Sequence, residues 1–185
     1  MKRIIALAII IMLLFTACGK DEFDPEKYVG ESLLTNFGML VDMNQLLYNN
    51  VFVLGHLEVD ESKAFEKDGK KYAPVTDKVY TSYDVLKNVV ESIYTKECAE
   101  DILTNYDLYA DVDGVFCLDM SKAENEHKGV KWVRDLDGEV ELEERETGKY
   151  VMEYRFACGK KDEIDEFTFV NTAGGYRLTE LQYVD

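Results

Sequence analysis

The stretch KYVMEYRFAC, residues 149–158, decides how this chain folds. Apolar side chains stand at every second position, and Val151, Glu153, Arg155 and Ala157 stand between them. A period of two is typical of a β-strand that buries one face and exposes the other. The predicted buried face consists of Tyr150, Met152, Tyr154, Phe156 and Cys158.

Turn sequences on both sides place this strand in a sheet. Gly, Asn and Asp cluster between segments rich in β-branched and aromatic residues, which is the pattern of short strands joined by tight turns. The predicted turns are ETG at 146–148, GKKD at 159–162 and NTAGG at 171–175. These turns separate four strands of an antiparallel meander, predicted at residues 139–146, 149–158, 163–171 and 175–184. Further upstream, KDGK at 67–70 and DG at 113–114 predict two more turns, the second inside a hairpin.

The first half of the chain is predicted to be helical. Apolar residues recur at helical spacing over residues 32–49, behind Ser32 as an N-cap. The recurring residues are Leu33, Leu34, Phe37, Leu40, Val41, Met43, Leu46 and Leu47. Ser82 and Thr95 predict the caps of two further helices, and the apolar run at residues 51–57 predicts a short strand. Helices followed by strands predict an α+β fold, with two to three N-terminal helices packed on one face of an antiparallel, mostly meander β-sheet.

The N-terminus resembles the export signal of a bacterial lipoprotein. Lys2 and Arg3 precede an uninterrupted apolar run at residues 4–15. A run of about 12 residues suits a signal peptide and is too short to cross a bilayer core of about 30 Å as a helix. Ala17 then directly precedes Cys18, which resembles the lipobox, in which the cysteine is diacylated and becomes the new N-terminus. The alternatives are an ordinary secretory signal and a short membrane anchor.

The predicted organisation is a signal peptide, a tether and one domain. Residues 1–17 are the lipoprotein signal peptide, residues 18–30 are a polar tether, and residues 31–185 form a single α+β domain. The alternative is two small lobes, at residues 31–105 and 106–185. The lipid at the start of the tether predicts an extracytoplasmic protein anchored to the cell membrane. A tether of about 12 residues reaches at most roughly 40 Å, so the domain works near that membrane.

The composition limits the choice of partners. Without the signal peptide the chain carries 19 Lys and Arg against 37 Asp and Glu, which is a net charge of −18. This charge makes nucleic acid an unfavourable partner and disfavours close approach to anionic lipid, and it suits a soluble surface or a cationic partner. The 12 Tyr and 9 Phe indicate a folded protein rather than a disordered stalk.

The sequence lacks the recognisable parts of an enzyme active site. No HExxH, GxSxG, P-loop or GxGxxG pattern is present, and the only two histidines are His56 and His127. Three further cysteines fall where the pattern predicts burial, and a buried thiol is inert. They are Cys98, Cys117 and Cys158, and the sequence is compatible with one disulfide among them or with none. We therefore predict a protein that is not an enzyme and that uses no cofactor or metal.

Two acidic turns raise the alternative of calcium binding. One surrounds Gly114 and the other surrounds Gly138, and each contains the order Asp-x-Asp-Gly. Both lack the first carboxylate of an EF-hand and the flanking helices that an EF-hand needs. Asp-Gly is also the usual residue pair of a hairpin turn, which is the prediction for both segments.

A series of motifs in the stretch from Lys70 to Tyr176 resembles a known family. The series is Y at 72, YTSYDVL at 80–86, SIYTKE at 92–97, IL at 102–103, DGVFCL at 113–118, W at 132 and a sheet that ends with GGYRL at 174–178. It is similar to the DL-endopeptidase inhibitor (IseA) family of Gram-positive bacteria. The resemblance implies an exported, non-enzymatic α+β protein that binds and inhibits peptidoglycan-cleaving endopeptidases, with no catalytic residues to carry over. The chain departs from that family in its lipid anchor and its extra cysteines, and its GGYRL ending is equally similar to NTF2-like and cystatin-like lipoproteins.

Two main functions follow from these observations. The first is a membrane-anchored binding or inhibitory module for a cell-wall peptidoglycan DL-endopeptidase or a related envelope partner. The second is an NTF2-like or cystatin-like lipoprotein that binds a small apolar ligand or serves a structural role in the envelope; a hydrolase with dispersed acidic residues is a third class. Candidate partner-binding residues are Trp132, Glu126 and His127, in and after a polar loop at residues 121–129. An exposed Trp132 would be an interface anchor, and a buried one would belong to the core.

Overall fold

The structure is a computed structural model that describes residues 25–53, 55–123, 131–136 and 141–182. The predicted signal peptide, Cys18, Glu126 and His127 lie outside the described residues. The chain divides into two compact units, residues 1–35 and residues 36–185. In the first unit the described residues are helical, and the Thr35 hydroxyl donates a hydrogen bond of 2.9 Å to the carbonyl of Glu31.

Among the described residues, three α-helices lie between residues 25 and 105. They are α1 (Pro25–Leu47), α2 (Tyr83–Ile93) and α3 (Lys96–Asn105). The Ser82 hydroxyl caps α2 by accepting the N–H of Val85 at 3.2 Å, and Thr95 caps α3 by accepting the N–H of Cys98 at 3.4 Å. Both predicted caps are therefore confirmed. Within the described part of the chain, no helix is long and apolar enough to span a membrane.

Helix α1 differs from its prediction at both ends. The described helix already includes Pro25, seven residues before the predicted N-cap Ser32. Residues 25–30 of the predicted tether are therefore helical. At the other end the chain continues as a π-helical turn, Tyr48–Phe52, so the strand predicted at residues 51–57 is wrong. A short apolar run does not by itself distinguish a strand from a buried helical turn.

The strands form two antiparallel sheets. The first contains β1 (Phe65–Lys67), β2 (Lys70–Pro74), β3 (Tyr109–Val112) and β4 (Val115–Asp119), in the order β1-β2-β4-β3. The second contains β5 (Val133–Arg134), β6 (Glu141–Glu146), β7 (Lys149–Cys158), β8 (Lys161–Thr172) and β9 (Gly175–Leu178). Its order is β5-β7-β8-β9, and β6 also pairs with β7. The α+β class, the N-terminal helices and the meander are confirmed, while the hairpin β3–β4 joins β1 and β2 in a separate sheet.

Both described Asp-Gly pairs form the tight turns of hairpins. Asp68 and Gly69 have φ angles of 52° and 76°, and Asp113 and Gly114 have φ angles of 54° and 82°. Positive φ at both central residues matches the twist of paired antiparallel strands. The Asp111 carboxylate accepts the N–H of Gly114 at 2.7 Å, so it helps to hold the turn. The hairpin prediction around Gly114 is confirmed, whereas residues 137–140 of the second acidic turn lie outside the described residues.

Strand β7 follows its predicted alternation at the centre, where Met152, Tyr154 and Phe156 are buried and Glu153 and Arg155 are exposed. Tyr150 and Cys158 of the predicted buried face are only partly buried, and Val151, predicted on the opposite face, is buried as well. The buried Phe167 of β8 lies beside the central residues. It is the register partner of Met152, and its ring centroid is 5.7 Å from that of Phe156. The buried residues of β7 and β8 thus form one continuous apolar face.

Helix α1 packs on this face through aromatic rings. The ring of Phe37 stacks on that of Phe169 from β8, with centroids 4.1 Å apart and planes 11° apart. Phe37 also contacts the rings of Tyr150 and Tyr176, at 5.7 Å and 4.9 Å between centroids. Each such aromatic pair contributes about 0.5–1.5 kcal/mol beyond the area that it buries. Aromatic side chains therefore fill the space between α1 and the second sheet.

The end of the chain is held against α1 by the buried side chain of Asn44. The last strand ends at Leu178, short of the predicted residue 184. Beyond it, the Asn44 amide donates to the carbonyl of Gln182 at 2.7 Å, and its Oδ1 accepts the Gln182 N–H at 3.1 Å. The same oxygen accepts the Tyr94 hydroxyl at 2.9 Å. One hydrogen-bond network therefore joins α1, the end of α2 and the segment after β9.

Candidate functional site

Helix α1 exposes a row of apolar side chains. Met39, Met43 and Leu46 are four and three residues apart, so they share one side of the helix, and all three are exposed. Val133 and Leu136, which line a groove together with Leu46, are 68% and 77% exposed. We call these five residues the apolar ridge. Adjacent exposed apolar side chains of this kind are typical of interaction sites.

A groove of about 370 Å³ lies between α1 and β5, and we call it the α1–β5 groove. The residues of its helix wall are spaced so that they share one face of α1. That wall consists of Asp42, Gln45, Leu46 and Asn49, and the strand wall consists of Trp132, Val133, Arg134 and Leu136. Leu46, Val133 and Leu136 of the apolar ridge therefore line the groove, whereas Met39 and Met43 line a recess between α1 and β9.

The strand wall is fixed to the helix wall by an ion pair. Arg134 donates two hydrogen bonds to the carboxylate of Asp42, at 2.8 Å and 2.7 Å. These bonds raise the pKa of Arg134, and its guanidinium also lies 5.5 Å from the centre of the Tyr154 ring. Gly38 makes room for this group, since a Cβ atom there would lie 3.1 Å from the guanidinium. A bidentate pair of this geometry holds the two walls at a fixed separation and neutralises the one carboxylate of the helix wall.

Gln45 on the helix wall has an unusual environment. Its side chain is 7% exposed, and its Nε2 atom is buried without a hydrogen-bond partner among the residues that the structure describes. Leaving a buried donor unpaired costs roughly 1–3 kcal/mol of folding free energy. The helix wall therefore carries a buried hydrogen-bond donor that the described chain does not satisfy.

Trp132 lies in the strand wall and is largely buried. It is 5% exposed, which agrees with the core alternative and not with a freely exposed interface anchor. The neighbouring Lys131 donates from Nζ to the side-chain oxygen of Asn50 at 3.1 Å, which ties this segment to the turn after α1. Only part of the Trp132 side chain can contact a ligand in the groove. Glu126 and His127 lie outside the described residues, so their partner-binding role stays a prediction.

The described cysteines are free thiols rather than disulfides. Cys98 and Cys117 are buried, and Cys158 is partly buried. Burial raises the pKa of Cys98 to about 11, and burial likewise raises the pKa of Cys117. A thiol with such a pKa stays protonated at neutral pH and is a poor nucleophile.

His56 and the acidic residues form no second site of comparable character. The Nδ1 atom of His56 is buried without a described hydrogen-bond partner, and it lines a separate pocket of about 230 Å³ with Asp107 and Lys122. Lys122 and Asp107 pair with each other across this pocket. Within the described ranges, no group of three His, Cys, Asp or Glu side chains is placed to hold a metal ion.

The sequence predicts a binding role for Trp132, which lines the groove, and for none of the other residues of the candidate site. Met43 and Leu46 belong to the helical apolar pattern and were expected to face the core, yet they are exposed. The available signal was that apolar residues occur all round this helix, including Met39, since a helix of that kind needs cover on more than one side. Nothing in the local sequence marks Gln45 as buried. No protein-family model matches this chain, and no curated protein matches it either.

Proposed function

We propose that this protein is an extracytoplasmic lipoprotein, anchored by a diacylglyceryl group on Cys18, that binds an envelope protein without catalysing a reaction. The class of partner that we favour is a cell-wall DL-endopeptidase, which the bound domain would inhibit. The anchor and the partner class come from the N-terminal lipobox and from the motif series over residues 70–178. The apolar ridge and the α1–β5 groove supply the binding surface.

The observation that carries this proposal is the apolar ridge. Leu136 and Val133 are among the most exposed large apolar side chains of the described chain, and Leu46 lines the same groove. Exposed apolar side chains next to a fixed ion pair resemble the centre of a protein interface, where apolar contacts are surrounded by polar groups. Burying this surface against a partner would remove it from water.

The packing of the core weighs against a small apolar ligand as the alternative. Such a ligand would need space between α1 and the second sheet, and Phe37 stacked on Phe169 fills that space. The protonated thiol of Cys98 also weighs against a cysteine nucleophile. Both observations favour a surface that binds over a pocket that holds or converts a substrate.

The anchor is tested by replacing its cysteine. We expect Cys18→Ala to leave the precursor uncleaved or the protein released, because a diacyl group supplies two buried chains and each buried CH₂ contributes about 0.8 kcal/mol of membrane affinity. Cell fractionation and the mass of the N-terminus measure the outcome. A variant that still fractionates with the membrane in mature form would show that Cys18 is not the anchor.

The binding function is tested with the full chain purified in detergent. We expect the wild-type protein to slow the release of peptides from peptidoglycan by a purified DL-endopeptidase. Met43→Lys places a charge on the apolar ridge and should weaken this inhibition by about tenfold, which corresponds to 1.4 kcal/mol of binding free energy. Val79→Lys is the matched control, because Val79 is an exposed apolar residue outside the groove. Equal effects of the two variants would rule out the ridge, and no inhibition by the wild type would rule out the partner class.

A further inference from the structure

One edge of strand β5 is unpaired in the described part of the chain. Its register pairs Val133 with Ala157 and Arg134 with Phe156, and the next N–H, that of Asp135, donates to the carbonyl of Arg155 at 2.8 Å. In an antiparallel pair the hydrogen-bonded and non-hydrogen-bonded positions alternate, so Arg134 occupies a non-hydrogen-bonded position. Its backbone N–H and C=O therefore point away from β7. No strand of the described chain pairs with that side of β5.

The α1–β5 groove runs along this unpaired edge. Its strand wall contains the consecutive residues Trp132, Val133 and Arg134. Successive residues of a strand point to opposite faces of the sheet, so a groove lined by three of them in a row follows the edge and not one face. The space beside β5 is therefore bounded by strand backbone on one side and by helix α1 on the other.

Two polar features of this space have no hydrogen-bond partner among the residues that the structure describes, and an extended backbone would supply one to each. The Arg134 N–H and C=O require an acceptor and a donor, which is what one residue of an added strand offers. The buried Nε2 of Gln45 requires an acceptor, which a backbone carbonyl offers. A helix bound in the groove would satisfy its own backbone groups and would leave both of these features unpaired. The chemistry therefore favours an extended segment over a helical one.

The side chains and the charge describe that segment further. Leu46, Val133 and Leu136 present apolar surface to it, so apolar residues at every second position would fit. The helix wall adds no free charge, since Asp42 is neutralised by Arg134. The mature chain carries a net charge of −18, which favours the approach of a partner with net positive charge.

We propose that the α1–β5 groove binds an extended, alternating apolar segment of a cationic partner protein, which adds to β5 as a new edge strand and accepts a hydrogen bond from Gln45. This inference rests on the proposed binding function and names how the partner is held. In this proposal the two residues of β5 pair with the partner segment, and β5 becomes longer only in the complex.

Linear peptides from a display library, selected against the full chain in detergent, are the probe. We expect the selected peptides to alternate apolar and polar residues. Alternate residues of an added strand point their backbone N–H toward β5. Methylating the backbone nitrogen of those residues should weaken binding by about tenfold, while methylating the residues between them should have little effect. The N–H of Arg134 should gain protection from hydrogen exchange when the peptide is bound. Peptides that bind as helices, or that ignore the phase of methylation, would overturn strand addition.

Variants of the groove complete the test. Val133→Asp should weaken peptide binding by about tenfold or more, and Val79→Asp should not, although Val133 and Val79 are 68% and 71% exposed. Gln45→Met removes the unpaired donor at similar volume, so it should leave the melting temperature equal or higher and still weaken binding by roughly 3- to 10-fold. Binding that is unchanged in Gln45→Met, or equal in both valine variants, would overturn the proposal. Either result leaves inhibition of an endopeptidase through the rest of the ridge as a separate question, answered by Met43→Lys.

Discussion

Replacing Asn44 with leucine should destabilise the protein by several kcal/mol. The side chain is fully buried, and it makes three hydrogen bonds, to the Gln182 carbonyl, the Gln182 N–H and the Tyr94 hydroxyl. Leucine has similar volume but no polar atoms, so all three partners lose their bond. Each unpaired buried group costs about 1–3 kcal/mol, and the part-buried Gln182 groups recover some of this from water, so we expect a total of about 3–5 kcal/mol. That is a large share of the roughly 5–15 kcal/mol that stabilises a typical domain.

Urea-induced unfolding of the full chain in detergent, followed by circular dichroism, measures this loss. Tyr94→Phe is the matched control, because it removes only the hydroxyl that donates to Asn44, and it should cost about 1 kcal/mol. In the double variant the two losses should be less than additive, since both remove the same bond. A loss below about 1 kcal/mol for Asn44→Leu would refute the reasoning, because it would mean that the network contributes no more than one ordinary hydrogen bond.

Three further outcomes are expected. Tyr154→Asp should cost several kcal/mol by placing a charge in the core, whereas Glu153→Lys on the exposed face should stay within about 0.5 kcal/mol, both measured by urea unfolding. Trp132 should fluoresce at short wavelength and resist acrylamide, and Trp132→Ala should cost about 3–5 kcal/mol; free quenching with little loss of stability would contradict its burial. Because burial raises the pKa of Cys98 from 9.0 to about 11, the folded state keeps this proton longer than the unfolded state. Stability should therefore be full at neutral pH and fall as the pH rises from 9 toward 11, with a smaller fall in Cys98→Ala.

Local patterns predicted the second sheet well. The alternation at residues 149–158 and the turn residues on both sides define β6 to β9, because register in a meander is set by neighbours in the sequence. The caps at Ser82 and Thr95 were equally local, since each hydroxyl accepts an N–H three residues ahead. Such features depend on a few adjacent residues and can be predicted from them.

Pairings between distant segments could not be predicted in the same way. Strand β2 pairs with β4, which joins Tyr72 to Asp119 across two intervening helices. No local pattern specifies that partner, so the hairpin β3–β4 was assigned without its sheet. The candidate site could not be predicted for the same reason. Helical spacing places Met43 and Leu46 on α1, but it does not say which side of the helix the sheet leaves uncovered.

Two neighbouring polar residues on α1 show how the fold and the proposed function place different demands on one helix. Asn44 is buried with its amide group paired to Tyr94 and Gln182, so its polarity stabilises the folded chain. Gln45 is buried with its amide nitrogen unpaired, so its polarity destabilises the chain. A helix under selection for stability alone would favour an apolar residue at position 45, as it favours a hydrogen-bonded one at position 44. If the groove binds a backbone carbonyl, the two positions should respond oppositely to apolar substitution: Asn44→Leu loses stability, whereas Gln45→Met keeps stability and loses binding.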